Sequence, residues 1–108
     1  MTYTPTPAFL TAKANVDDLK ETKGHDLMLL AYTLFKHTTI GDTQGTRPGM
    51  FSPKERKKFD AWGFTDGMTQ EKTDELYINC SNHLVRDEPL VEENQALLKK
   101  IRELLGME

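Results

Sequence analysis

A chain of 108 residues with 37% apolar and 29% charged residues is long enough for one compact domain, and its modest core favours a surface groove over a deep, rigid active site. A formal net charge of −3 argues against general attraction to nucleic acid or anionic membranes and leaves any anion site to a local basic patch. The single Cys80 rules out an internal disulfide, His25, His37 and His83 show no metal-ligand spacing, and no apolar run reaches the roughly 18 residues of a membrane span. Together these features predict a cytoplasmic protein without metal, cofactor or membrane insertion.

Thr6-Pro7 has the form of an N-cap followed by proline at the first helical position. Phe9, Ala12, Val16 and Leu19 then recur at three and four, which predicts a first helix over Pro7 to Lys20. Gly24 breaks the pattern within Glu21 to His25. Leu27, Leu30, Ala31, Leu34 and Phe35, with Thr38 one turn on, predict a second helix ending near Ile40. The stretch TTIGDTQGTRPGMF, Thr38 to Phe51, holds three glycines and a proline in fourteen residues and predicts a long loop in an otherwise helical chain. Ser52-Pro53-Lys54-Glu55 carries the residues of a capping box, with proline at the first position, and predicts a short third helix ending before Gly63. After a turn at Gly67, Thr69 caps a fourth helix lined by Leu76, Tyr77, Cys80 and Leu84 down to about Arg86 or Asp87. No segment alternates with a period of two, so the fold class is all-α. Beyond Pro89, the residues Leu90, Val91, Leu97, Leu98, Ile101, Leu104 and Leu105 fall at near-heptad spacing and predict a fifth, amphipathic helix. It either folds back onto the bundle or serves a protein partner or self-association.

Chemistry gathers at the two ends of the loop. Tyr32 and Lys36 are four apart on the second helix and share a face, with Phe35 beside them. Lys54, Arg56, Lys57 and Lys58 make the third helix a basic stripe, offset nearby only by Glu55 and Asp60. If the loop folds the third helix beside the second, these lysines converge with Lys36 on a phosphate and Tyr32 or Phe35 stacks on a base. On spacing alone a solvated lysine face and a core aromatic stripe are the competing readings. Cys80 reads as core, since a catalytic thiol needs a histidine brought to it in space.

The run YTLFKHTTIGDTQGTRPGMF, followed by KERKKFDAW and then ELYI, closely resembles the acyl-CoA-binding protein family over about Phe9 to Leu84, with the motifs in order and ungapped. The resemblance implies a four-helix bundle in up-down-down-up order, in which the long loop is an overhand crossing that lets the second and third helices run the same way. It implies an acyl-CoA-binding domain over residues 1–88, followed by an extension over residues 89–108 that it does not explain. It further implies reversible binding of medium- to long-chain fatty acyl-CoA, an intracellular carrier and pool-forming role in lipid metabolism, and no catalytic residue. By position, Tyr32 matches a tyrosine contacting the nucleotide end and Lys36 the lysine pairing with the 3′-phosphate. Lys54 and Lys58 match two third-helix lysines, the second also at the phosphate, and Tyr77 matches a tyrosine packed on the ligand. Phe9, Ala12 and Met28 lie where the acyl chain is met, although any helical bundle places apolar residues there. Trp62 matches a structural tryptophan.

Three positions depart from the family pattern. Phe35 stands where a tyrosine is usual and loses one hydroxyl, worth about 0.5–1.5 kcal/mol. Asp17 stands where a basic residue often faces the ligand head, and Phe59 replaces a tryptophan. Two other readings stay open beside the carrier. One is a helical protein-interaction module using the basic third helix and the C-terminal helix. The other is a CoA enzyme, for which the chain offers no nucleophile and base beyond Cys80 and separate histidines.

Overall fold

The computed structural model describes residues 2–107. Among them are α1 Pro7–Asp17, α2 His25–Ile40, α3 Pro53–Trp62, a 3₁₀ turn Gly63–Thr65, α4 Gln70–Arg86 and α5 Glu92–Leu104, with no strand. The starts of α1 and α4 follow the predicted caps: the Thr6 hydroxyl accepts from the Phe9 N–H at 3.1 Å, and the Thr69 hydroxyl accepts from the Lys72 N–H at 3.1 Å.

Three local expectations are corrected. α1 stops at Asp17 and not Lys20, because the Leu19 N–H turns back to the Val16 carbonyl and closes the last turn tightly. The capping box at Ser52 does not form. Ser52 has ψ 63° and lies outside the extended region from which a cap side chain reaches the second and third N–H groups, so α3 starts on Pro53 alone while Glu55 lies 3.9 Å from Lys58. α5 begins at Glu92, and Val91, expected on its apolar face, is 40% exposed.

Helix directions follow from paired contacts. Thr6, capping α1, bonds to Asp74 through its N–H and its hydroxyl, both at 2.9 Å, and the Ser81 hydroxyl donates to the Ala12 carbonyl at 3.2 Å. Advancing along α1 therefore advances along α4, and the two are parallel. Thr38, near the end of α2, meets Thr73, near the start of α4, through a buried hydroxyl pair at 2.9 Å, so α4 runs back along α2. Lys58 lies over Tyr32 and Trp62 lies under Lys36, which makes α2 and α3 parallel. The order is up-down-down-up.

Parallel neighbours explain the loop. Helices joined by about two to five residues are antiparallel, whereas residues 41–52 must return along the whole of α3, whose 10 residues span about 15 Å. The path is fastened at intervals. The Trp62 indole N–H donates to the Gly41 carbonyl at 2.9 Å, at the end of α3. Arg47 forms a two-pronged bond to Asp60 at 2.8 and 2.6 Å. Thr43 donates to Asp66 through its N–H and hydroxyl, and the Gly67 N–H donates to Asp42, which ties the loop to the turn before α4. Gly41 has φ 102° and ψ −149°, a conformation open essentially only to glycine, so α2 can end abruptly where its carbonyl receives Trp62.

The core holds Phe9, Leu30, Leu34, Tyr77, Cys80 and Ile101. α5 folds back onto the bundle: Leu97, Leu98 and Ile101 are buried, the Asn94 amide donates to the Leu76 carbonyl at 2.8 Å, and Arg102 pairs with Asp26 of α2 at 2.8 Å. Of the two readings left open for this helix, the structure shows the one in which it folds back onto the bundle.

Candidate functional site

The parallel α2–α3 seam sets cations against aromatic rings in two successive rungs. Lys58 Nζ lies 5.2 Å from the centre of Tyr32, and one turn on Lys36 Nζ lies 4.8 Å from the centre of Trp62. Trp62 is itself edged by Phe59 at 6.3 Å. Below the rungs, toward the start of α2, opens a cavity of about 760 Å³. Its walls are His25, Met28, Leu29 and Tyr32 of α2, Pro53, Lys54, Lys57 and Lys58 of α3, and Leu105 and Met107 beyond α5. That volume lies in the usual range for small-molecule sites, roughly 300–1,000 Å³.

The electrostatics are one-sided. Among the described residues no carboxylate lies within ion-pair distance of Lys36, Lys54 or Lys57, and Lys58 has only the long contact to Glu55. Uncompensated ammonium groups beside an apolar wall attract an anion attached to an apolar body. Burial, with the Glu55 charge nearby, pushes the Tyr32 hydroxyl above its ordinary value, so at neutral pH it is an uncharged donor.

Of the residues singled out in the sequence, Met28, Tyr32, Lys54 and Lys58 meet at this cavity, and Lys36 stands one turn above them on the same seam. Phe35 follows Tyr32 by three residues and Met28 by seven, on the same half of α2, yet it does not line the cavity: it is stacked 6.1 Å from Phe9 with the Lys13 ammonium 5.2 Å from its ring. Phe9, Ala12 and Tyr77 do not line the cavity: all three are buried where α1, α2 and α4 meet, and the Phe9 and Tyr77 rings are 4.7 Å apart. Their geometry is that of core, because the parallel packing of α1 on α4 closes that face. Burial also pushes the Tyr77 hydroxyl far above its ordinary value.

Sequence reasoning passed over Leu29, Met107 and Lys13, took Lys57 only as part of the basic stripe, and took Leu105 only as part of the apolar face of the fifth helix. Lys57 was legible as part of KERKK. Lys13 was legible only by its four-residue spacing from Asp17, which holds its ammonium at 2.6 and 2.8 Å. The departure at position 17 therefore leaves a helix-one cation in place at position 13. Nothing in the residue pattern placed Leu105 or Met107, whose position depends on how α5 docks.

A helical bundle with lysines and an apolar cleft on a parallel helix pair is, as a class, a binding module for a ligand with an anionic head and an apolar tail. The chain belongs to the acyl-CoA-binding protein family: the family model described as "Acyl CoA binding protein" matches residues 6–81. It is 43% identical over 60 residues to acyl-CoA-binding protein homolog 3 of Caenorhabditis elegans, covering 56% of this chain and 52% of the relative. It is 38% identical over 69 residues to the acyl-CoA-binding protein of Fritillaria agrestis (64% and 79% covered) and 36% identical over 74 residues to that of Saccharomyces cerevisiae (68% and 84% covered).

Proposed function

We propose that this chain binds long-chain fatty acyl-CoA reversibly and carries it as an intracellular pool, with Lys36, Lys54 and Lys58 on the phosphates, Tyr32 beside the nucleotide, and the acyl chain against Met28 and Leu29. The observation that supports this most directly is the juxtaposition of unpaired lysines and an apolar cavity on one seam. Covering the roughly fifteen methylene and methyl groups of a palmitoyl chain at about 0.8 kcal/mol each gives about 12 kcal/mol before ordering and association costs. The tail therefore supplies most of the affinity and the lysines supply head-group selection.

Binding without turnover fits the one thiol. Cys80 is fully buried, and burial pushes its pKa up to about 12, so at neutral pH it is neither exposed nor a thiolate. No helix among the described residues is long and apolar enough to cross a membrane. We place the carrier in the cytoplasm, where a lone reduced cysteine is the ordinary condition. Calorimetry tests the reading directly. Palmitoyl-CoA is expected to bind far more tightly than CoA, and palmitate, lacking the phosphate anchor, weakly. Equal affinity for palmitoyl-CoA and CoA overturns it, and loss of intact thioester during prolonged incubation overturns the absence of turnover.

A further inference from the structure

The family match ends at residue 81, yet the cavity continues past it, because Leu105 and Met107 complete the wall that Met28 and Leu29 begin. The geometry gives the cavity a direction. Lys36 stands beyond one end of it, Lys54, Lys57 and Lys58 line its α3 wall, and its other end lies toward the first turn of α2, where the Arg102–Asp26 ion pair at 2.8 Å holds the last turn of α5.

We propose that α5 is the end wall of the acyl-chain site: Leu105 and Met107 receive the terminal methylenes of a long acyl chain, and the Arg102–Asp26 pair holds that wall against α2. This inference rests on the acyl-CoA reading above. The wall is firm because Leu97, Leu98 and Ile101 are buried in the bundle and the Lys72–Glu93 pair at 2.8 Å ties the start of α5 to α4. Its lining is not saturated. Leu105 is half-buried and Met107 is 43% exposed, so a hydrocarbon end laid on them removes apolar surface on both sides from water. Methionine, unbranched and polarizable, adapts to a chain end of variable position. An acyl chain too short to reach this wall gains nothing from it, so the C-terminal segment makes the affinity depend on chain length.

The test is a calorimetric series on the full chain and on L105A/M107A, with octanoyl-, lauroyl-, palmitoyl- and arachidoyl-CoA. The ratio of palmitoyl- to octanoyl-CoA affinity is expected to fall about tenfold in the double variant, the weight of roughly two buried methylenes. Arg102→Gln is expected to lower the same ratio by a smaller factor. A ratio equal to that of the parent, whether all affinities fall together or none changes, overturns the end wall while leaving the carrier reading intact. A parent that binds palmitoyl-CoA no better than CoA overturns both. Because the double variant perturbs α5, the methyl resonance of Met107 in the unaltered chain gives an independent readout. It is expected to shift on binding palmitoyl-CoA and much less on octanoyl-CoA, and equal shifts overturn the proposal.

Discussion

The Lys58 ammonium lies 5.2 Å from the centre of the Tyr32 ring, and this contact sets the direction of α3 against α2 as much as it builds the site. With Lys36 over Trp62 one turn on, each helix offers a cation and an aromatic ring to the other. Both ammonium groups lie on rings, and the one carboxylate contact is the long 3.9 Å approach of Lys58 to Glu55, so a phosphate can recruit them without first breaking a strong ion pair.

That arrangement predicts a selective loss. Lys36→Ala is expected to weaken CoA and palmitoyl-CoA by similar factors, about ten- to a hundredfold, the range of a hydrogen bond to a charged group at about 1.5–3 kcal/mol. Esters of 3′-dephospho-CoA are expected to be nearly indifferent to the change. Calorimetry on the four protein–ligand combinations measures the coupling between Lys36 and that phosphate, and zero coupling would take Lys36 out of phosphate recognition.

Asp17 gives a prediction of the opposite sign. It holds the Lys13 ammonium, which stands over Phe35, through an exposed i,i+4 pair. If the ligand head meets α1 at position 17, as the family resemblance implies, Asp17→Asn removes a repelling carboxylate there and frees Lys13. The expected result is tighter CoA-ester binding by about two- to fivefold at low ionic strength, with the gain fading as salt is added. Weaker binding would show that Lys13 works only while Asp17 positions it.

How much of this was readable beforehand differs from residue to residue. The helices announced themselves through period and caps, and the loop through its glycines and its length. The lysines of α2 and α3 stood out as a basic stripe, but spacing alone left a solvated face as the competing reading, and their assignment to a phosphate came from the family resemblance. Ser52 misled because a capping box specifies residue types, whereas the cap requires an extended backbone that the turn before Pro53 does not adopt. Phe9, Ala12 and Tyr77 were tied to the ligand only by the family resemblance, because apolar periodicity marks a buried face without saying whether protein or ligand buries it; in the structure all three are buried within the bundle. Leu105 was marked only as part of an apolar helix face, and Met107 had no local signal at all. Their place at the cavity depends on a contact between residues 76 positions apart, Asp26 and Arg102, and such distant pairings leave no mark on local pattern.

The same distant pair predicts acid sensitivity. Burial raises the Asp26 carboxyl, but the Arg102 hydrogen bond and the Leu27 N–H outweigh it and hold it below its ordinary value. A carboxyl lowered in the folded state binds fewer protons folded than unfolded. Its stabilising share is therefore complete above the unfolded value of about 3.9 and is lost as pH falls through the lower folded value. Arg102→Gln is expected to reduce stability by about 0.5–1 kcal/mol near neutral pH, discounted for the exposure of Arg102, with the difference from the parent closing in acid. Urea unfolding of both proteins across that pH range measures it. A gap that persists unchanged in acid would mean that Arg102 stabilises through packing of its stem and not through the charge of Asp26.

Trp62 supplies a direct optical test of the site. It is the one tryptophan of the chain, it is nearly buried, and its indole N–H is fixed to the Gly41 carbonyl at 2.9 Å. The mobile charge beside it is the Lys36 ammonium at 4.8 Å. A phosphate that draws this ammonium away changes the field across the indole without moving the ring, so CoA and palmitoyl-CoA are expected to alter the intrinsic emission by similar amounts at saturation. Palmitate, with no phosphate, is expected to leave it nearly unchanged. Lys36→Ala removes the charge in advance and is expected to abolish the response even at ligand concentrations that saturate the variant. Trp62→Phe is expected to lower stability by about 1–3 kcal/mol, through the lost hydrogen bond, a weaker cation–ring contact and the smaller buried ring. An undiminished emission change in Lys36→Ala would mean that the ligand reaches the indole by another route, and that the upper rung of the seam is structural only.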